Sequence, residues 1–366
     1  MSVPLVDVKR EVARYRETYL EATTRVFDSG IFSLGPEVQT FEHLFAYFLK
    51  IPHAVGVNGG TLALYAACLA LDIGQGDEVI VPANSFIATA EAVVMSGATP
   101  RFCDVDPVSH LLDLTSAERL VTPQTRAIIP VHLYGQMVDM VPLMAFARAH
   151  GLRVIEDVAQ AHGASRHDQR AGIFGDMGCF SFYPTKNLGA LGEAGAIVTH
   201  DENLAYALRA IRVHGCGKEK YHHERFGSNL KMEALQAAYL SLRIPRLLEN
   251  NARRRAIADR YRQAFQDLPL GVPQDTGLAH VYHLFVVTTD RRDALQAHLQ
   301  KWGIGTGIHY ATPIHLQPSF ARWGGKPGDC PIAEATAHTL LSLPMFPELQ
   351  DAEVEEVIAA VRAFFV

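Results

Sequence analysis

The chain has 366 residues, 48% of them hydrophobic and 20% charged, which describes a folded globular chain long enough for a large core and a smaller lobe. Its formal net charge of −6 argues against a general nucleic-acid binder, which carries a basic excess or stripe. No uncharged apolar run reaches the roughly 18 residues of a membrane span.

Met1 to Arg10 contains Asp7, Lys9 and Arg10 with no apolar stretch behind them, so it does not read as a secretory signal and the chain is expected in the cytoplasm. Five cysteines, Cys68, Cys103, Cys179, Cys216 and Cys330, are odd in number and lack CxxC spacing. They fit neither a disulfide framework nor a zinc site and read as small core residues kept reduced. No metal is expected.

Between residues 36 and 50, Val38, Phe41, Leu44, Phe45 and Phe48 recur at three- and four-residue intervals behind Pro36, predicting an amphipathic helix. Short apolar runs follow at 78–81, 101–105, 127–131, 153–155, 179–182 and 196–199, several of them separated by helical stretches such as 61–71, 88–96 and 140–150. Short buried strands alternating with helices predict an α/β layer fold with a largely parallel sheet. After about residue 200 the pattern changes to helices at 202–213 and 233–265, the latter interrupted at Pro245, then a strand at 281–287 and helices at 293–302 and 351–365. The reading is a large domain over 1–250 and a small C-terminal domain over 251–366.

Two segments carry chemistry. In Val154-Ile155-Glu156-Asp157 an apolar strand runs into two carboxylates, and ligands of open α/β sheets sit beyond the carboxyl ends of the strands. A carboxylate there can hold a protonated pyridine nitrogen, as pyridoxal phosphate requires; on this segment alone, Asp157 could equally cap a following helix. Lys186, in Phe182-Tyr183-Pro184-Thr185-Lys186-Asn187-Leu188-Gly189, places an amine in a turn just after a short strand. If desolvation lowers its pKa, that amine becomes a Schiff-base former; most lysines are merely solvated.

Gly59-Gly60-Thr61 turns into a helix and offers backbone N–H groups and a hydroxyl to a phosphate. Ser181, near the end of the strand before Lys186, can reach the same phosphate, and Phe86 lies on the same sheet edge, where its ring can stack on a planar one. Cations for an anionic ligand are available at Arg212, Lys218, Lys220, Arg225 and Lys231.

These motifs, together with Pro130-Val131-His132-Leu133-Tyr134-Gly135-Gln136, Gln160-Ala161-His162-Gly163, Gly227-Ser228-Asn229, His280-Val281-Tyr282-His283-Leu284 and Gly307-Ile308-His309-Tyr310, resemble the DegT/DnrJ/EryC1/StrS family of pyridoxal-phosphate-dependent nucleotide-sugar aminotransferases almost end to end. The resemblance implies a fold type I aminotransferase. It makes Lys186 the Schiff-base lysine, Asp157 the partner of the pyridine nitrogen and Gln160 a neighbour of the ring 3-hydroxyl. Phe86 takes the stacking position, Gly60, Thr61 and Ser181 hold the phosphate, and Asn229 stands where a neighbouring subunit contributes a contact, so a homodimer with shared active sites is implied.

Two departures are visible. Gly59 replaces a common serine, and Ala194 replaces a common glycine in Gly192-Glu193-Ala194-Gly195-Ala196, where an alanine restricts the backbone.

By the same resemblance an amino donor, L-glutamate, converts the cofactor to pyridoxamine phosphate, which then aminates a ketosugar linked to a nucleoside diphosphate. Tyr183 with His309-Tyr310 looks like the members acting at C3 of 3-keto sugars. Those residues, with Lys218 and Tyr221 of the basic stretch 218–225, are the substrate candidates. Amination at C4, or a non-catalytic regulatory protein on the same scaffold, are the alternatives; a related dehydratase lacks the lysine that this chain has.

Overall fold

The computed structural model describes residues 3–166, 168–219 and 221–365. Two helices unanticipated from the sequence open it: α1 (Val8–Arg14), capped by the Asp7 carboxylate on the Lys9 N–H, and α2 (Arg16–Ser29). In α3 (Gly35–Leu49) the buried residues include Val38, Phe41 and Phe45, the stripe set by their spacing. The chain then alternates through β1 (His53–Val57), α4 (Gly60–Ala70), β2 (Glu78–Pro82), α5 (Ala88–Met95), β3 (Thr99–Cys103), α6 (Leu114–Glu118), β4 (Thr125–Ile128), α7 (Met140–His150) and β5 (Arg153–Asp157). A minimal hairpin of β6 (Ser165–Arg166) and β7 (Gln169–Arg170) precedes β8 (Met177–Ser181) and β9 (Gly195–Thr199).

Seven strands form one sheet in the order β1-β9-β8-β5-β4-β2-β3. β9 is antiparallel to both neighbours and the other pairs are parallel. Successive strand residues feed opposite faces. Ile80, Ile128, Val154, Phe180 and Val198 join a core with α3, α7 and α9 (Ala234–Arg243). Val79, Val81, Ala127, Ile155, Cys179 and Ile197 join a second core with α4, α5 and α8 (Glu202–Ile211). Both faces are therefore covered, as a mostly parallel sheet requires. Four cysteines are buried and Cys216 is half-buried; all five are free.

Pro245 lies in a single 3-10 turn, Ile244–Arg246, that separates α9 from α10 (Leu247–Phe265). Beyond it come β10 (Phe285–Thr288), α11 (Arg292–Lys301), α12 (Pro331–Ala337), β11 (Leu340–Leu343) and α13 (Asp351–Phe365), with β10 and β11 paired antiparallel. Ile257, Tyr261, Phe265, Phe285, Leu341 and Val357 build a third core, which Val3 also enters. Position 250 falls inside α10: Leu247 packs into the first core, and the far half of the same helix packs into the third. Among the described residues no helix is long and apolar enough to cross a membrane.

Several expected boundaries are corrected. The strand predicted at 281–287 begins only at Phe285, because Tyr282 adopts φ 44° and the Val281 N–H goes to the Gly135 carbonyl. The strands predicted at 101–105, 127–131 and 179–182 start two residues earlier and end sooner, and the helix predicted at 202–213 stops at Ile211. Val105, Val131 and Phe182 are apolar and buried, yet they belong to loops at the carboxyl edge of the sheet. An apolar run marks burial, and here burial continues past the strand ends into the floor of the site.

Candidate active site

The carboxyl ends of β2, β5 and β8 open into a cavity of about 1430 Å³ whose lining includes Asp157, Lys186, Gln160, Phe86 and Ser181. Its position outside the strand ends is the one open α/β sheets favour.

Strand alternation separates the two carboxylates of β5. Glu156 is fully buried on the far side, where it accepts N–H bonds from Gly172 (2.8 Å), Phe174 (2.7 Å) and Gly175 (2.8 Å) and faces His132 Nε2 at 3.0 Å. His132 Nδ1 accepts from the Val138 N–H, so its Nε2 carries the proton that Glu156 receives. This carboxylate is saturated and structural. Asp157 faces the cavity, its Oδ2 accepting from the Thr89 hydroxyl at 2.8 Å and its Oδ1 from the Ala159 N–H at 3.1 Å. Ser85 lies 3.0 Å behind Thr89; since Thr89 gives its proton to Asp157, Ser85 donates to Thr89. Burial raises the Asp157 carboxyl above its ordinary range, opposed by these donors and by Lys186. No helix follows β5, so Asp157 caps nothing.

Lys186 sits in a turn closed by its own N–H on the Tyr183 carbonyl (2.8 Å). The neighbouring Asn187 amide fastens this turn to Asn251 (2.9 Å) and to the Val281 carbonyl (3.0 Å). The amine is half-buried, and burial lowers its pKa from 10.5 to about 8 against the opposing pull of Asp157. An amine so tuned is a competent nucleophile and base near neutral pH. Burial, and then the charge of Lys186, hold His283 and His309 below the usual imidazole range, so both present neutral rings to the site.

At the other side of the cavity α4 begins. A Cβ on Gly60 would lie 2.5 Å from that of Ser181, so the helix start and the end of β8 touch, and only glycine permits it. The contact gathers the Ser181 and Thr61 hydroxyls beside the first-turn N–H groups of α4, which no side chain among the described residues caps, an anion cradle. Gly59 is extended, with open space where its side chain would be. Ala194 takes no positive φ, and its carbonyl accepts from the Phe182 N–H at 2.8 Å; the backbone there does not need glycine. A phosphate cradle, a cavity-facing aspartate and a neutralisable amine around a cavity carrying Phe86 fit pyridoxal phosphate.

Of the remaining expected residues, Gln160 accepts from the Tyr134 N–H (2.6 Å) and donates to the Tyr310 hydroxyl (3.1 Å). Tyr310 lies 5.9 Å from the Phe86 ring, and His309 Nδ1 is 2.8 Å from Ser342 Oγ. Tyr183, His309, Tyr310 and Asn229 line the cavity, while Lys218 and Tyr221 do not line it in their own chain. Arg212 is not a free cation: it pairs with Glu42 and donates to the Gly56 carbonyl at 2.9 Å. Lys220 lies outside the described residues. Lys231, one of the expected cations, does line the cavity, as do His283 and Glu193, which stand in recognised motifs without an assigned role, and Thr89, which no local motif marks.

A mostly parallel α/β sheet bearing this amine, this carboxylate and this cradle at its carboxyl edge defines a fold type I aminotransferase. Residues 14–362 match the DegT/DnrJ/EryC1/StrS aminotransferase family, and the chain belongs to it. Over 362 residues, covering 99% of this chain and 97% of the relative, it is 43% identical to the UDP-N-acetyl-3-dehydro-alpha-D-glucosamine 3-aminotransferase of Acidithiobacillus ferrooxidans. The structure of Streptomyces venezuelae DesV in complex with a ketimine intermediate matches with a TM-score of 0.96 at 44% identity, covering 99% of this chain and 98% of that one. Bacillus subtilis NtdA with bound cofactor PMP matches at 0.93 and 33%, covering 100% and 85%.

Proposed function

We propose that this enzyme transfers an amino group from L-glutamate to C3 of a nucleotide-linked 3-keto sugar. Pyridoxal 5′-phosphate is the carrier and pyridoxamine phosphate its amine-bearing form. The observation that carries the reading is the half-buried Lys186 amine, with a pKa of about 8, in one cavity with the buried Asp157; likeness to a 3-aminotransferase over 99% of the chain supports the choice of carbon.

When bound, the cofactor supplies an electron-withdrawing ring that accepts the electron pair released at the carbon bearing the amine. Asp157 would hold the ring nitrogen protonated, its bond from Thr89 keeping the carboxylate oriented. Gly60, Thr61 and Ser181 would bind the phosphate. Gln160, whose Oε1 is fixed by the Tyr134 N–H and whose amide donates to the Tyr310 hydroxyl, would stand beside the ring hydroxyl. Lys186 would move a proton within each half-reaction, from the α-carbon of the donor to the cofactor carbon that bears the nitrogen in the first and from that carbon to C3 of the sugar in the second, a shuttle suited to an amine that is readily deprotonated near neutral pH. Tyr183, His309 and Tyr310 shape the sugar end of the cavity.

The working form is a homodimer in the cytoplasm. Lys218 and Tyr221, displaced from their own chain's cavity, meet the substrate pyrophosphate across the interface, where Asn229 contributes as well. The test is direct: the loaded enzyme is given L-glutamate with a nucleotide-linked 3-keto sugar or 4-keto sugar, and product is read by mass spectrometry and NMR. Amine at C3 and release of 2-oxoglutarate are expected; exclusive amination at C4 overturns the assignment.

A further inference from the structure

Thr185 and Lys186 line two cavities, the large one already described and a small cleft behind the turn. The cleft, about 30 Å³, has room for one or two water molecules. Glu11 of α1, Arg243 of α9, Arg254 and Glu348 line it. Among the described residues, Glu11 Oε2 and Arg254 Nε are buried without a hydrogen-bond partner.

Glu11 Oε1 accepts from the Tyr19 hydroxyl and lies 3.3 Å from Arg243 Nε. Arg243 in turn donates through Nη1 to the carbonyl of Gly189, three residues beyond Lys186. Gly189 is tied into the segment that carries Lys186: the Ala190 N–H donates to the Phe182 carbonyl at 2.7 Å and the Lys186 N–H to that of Tyr183 at 2.8 Å. A shift of the Gly189 carbonyl is thereby passed to the 183–190 segment. Nothing in the amino-transfer chemistry calls for a buried carboxylate on the first helix of the chain.

We propose that Glu11 is a positioning residue for Lys186, acting through Arg243 and the Gly189 carbonyl. The positive charge of Arg243 stands close to those of Arg246 and Arg254. Glu11 and Glu348 are the carboxylates that act on this group; Asp7 also lines the cleft but pairs with Arg10 at 3.2 Å. An unpaired buried guanidinium is costly, so without the Glu11 charge Arg243 turns toward water and releases the turn. α1 thus braces the catalytic lysine from behind, while Asn187 pins it from the side.

The inference rests on the role of Lys186 in amino transfer for its kinetic arm only. Glu11→Gln, Arg243→Met and the double variant are prepared as cofactor-loaded enzyme. Each single change is expected to lower kcat about tenfold with both KM values within twofold, and to speed amide hydrogen exchange across residues 183–190. The double variant is expected to lose no more than Arg243→Met alone, because the two act in series. Glu11→Asp, which keeps the charge, should recover part of the loss and carries the comparison if Glu11→Gln fails to fold. The proposal is overturned if Glu11→Gln leaves kcat and exchange of the segment unchanged, or if the two losses multiply. Should the enzyme aminate no sugar offered, the exchange measurement alone decides.

Discussion

Lys186 is held in a state that costs stability. Its amine has a pKa of about 8 in the fold against 10.5 for the free side chain, so between those values the unfolded chain binds more protons than the folded one. Stability of the cofactor-free protein therefore rises with pH through this window; the full cost is present below about 8 and is gone above 10.5. The difference corresponds to roughly 3 kcal/mol as an upper bound. Lys186→Met should thus abolish amino transfer yet make the cofactor-free protein more stable at pH 7 by about 1–3 kcal/mol, with the gap narrowing by pH 10. Urea denaturation at the two pH values checks it, and a gap independent of pH would show that the lysine charge is not the source. Lys186 and Asp157 were legible in the sequence through their company: alone, each had an ordinary reading, a solvated lysine or a helix cap, and the motifs shared along the whole chain gave both their roles. Thr89 was not, since its only chemical meaning is its bond to a carboxylate 68 positions away. The different fates of Glu156 and Asp157 follow from strand alternation, which became usable once the strand register was known.

At the scale of elements, the start of α4 shows how little backbone freedom the cradle has. Gly60→Ala would drive a methyl group to 2.5 Å from Ser181 Cβ, so either the helix start or β8 must move, an overpacking that costs about 1–3 kcal/mol. The variant should melt lower and bind pyridoxal phosphate at least tenfold more weakly. Gly59→Ser adds a hydroxyl into open space on an extended backbone, and should leave the melting temperature nearly unchanged while binding the cofactor at least as tightly. Thermal melts and cofactor titrations of the two variants separate these outcomes, and equal damage from both would contradict the contact between α4 and β8. The glycines were legible as a turn, but the reason one is indispensable and the other replaceable lies in the position of β8, which local sequence does not specify. The same limit explains α1 and α2: the buried Tyr19, Ala22 and Val26 pack on Ala234, Ala238 and Tyr239 of α9, more than 200 residues away in sequence. It also explains residues 281–284, where the Val281 carbonyl and the His283 ring meet Asn187 of the Lys186 turn instead of joining a strand.

For the whole molecule, the single chain leaves an apolar surface beside its own active site. Along and just after α2, Leu20, Phe27, Ile31 and Phe32 are exposed, Phe27 at 59% and Phe32 at 52%; their two rings meet edge-on at 6.2 Å. Phe32 also lines the cavity, so whatever covers this patch closes the site. A second copy of the chain is the occupant consistent with the proposed shared active site, and a two-fold contact would place the same patch on both sides. Because both rings are already exposed, replacing them should spare the fold of one chain while disfavouring association. Phe27→Asp with Phe32→Asp is therefore expected to retain the parent circular dichroism spectrum, to run as a monomer in light scattering where the proposed dimer is expected of the parent, and to lose amino transfer by more than tenfold. A variant that stays dimeric and active would mean that the partner docks elsewhere and that Lys218 and Tyr221 must reach substrate by another route.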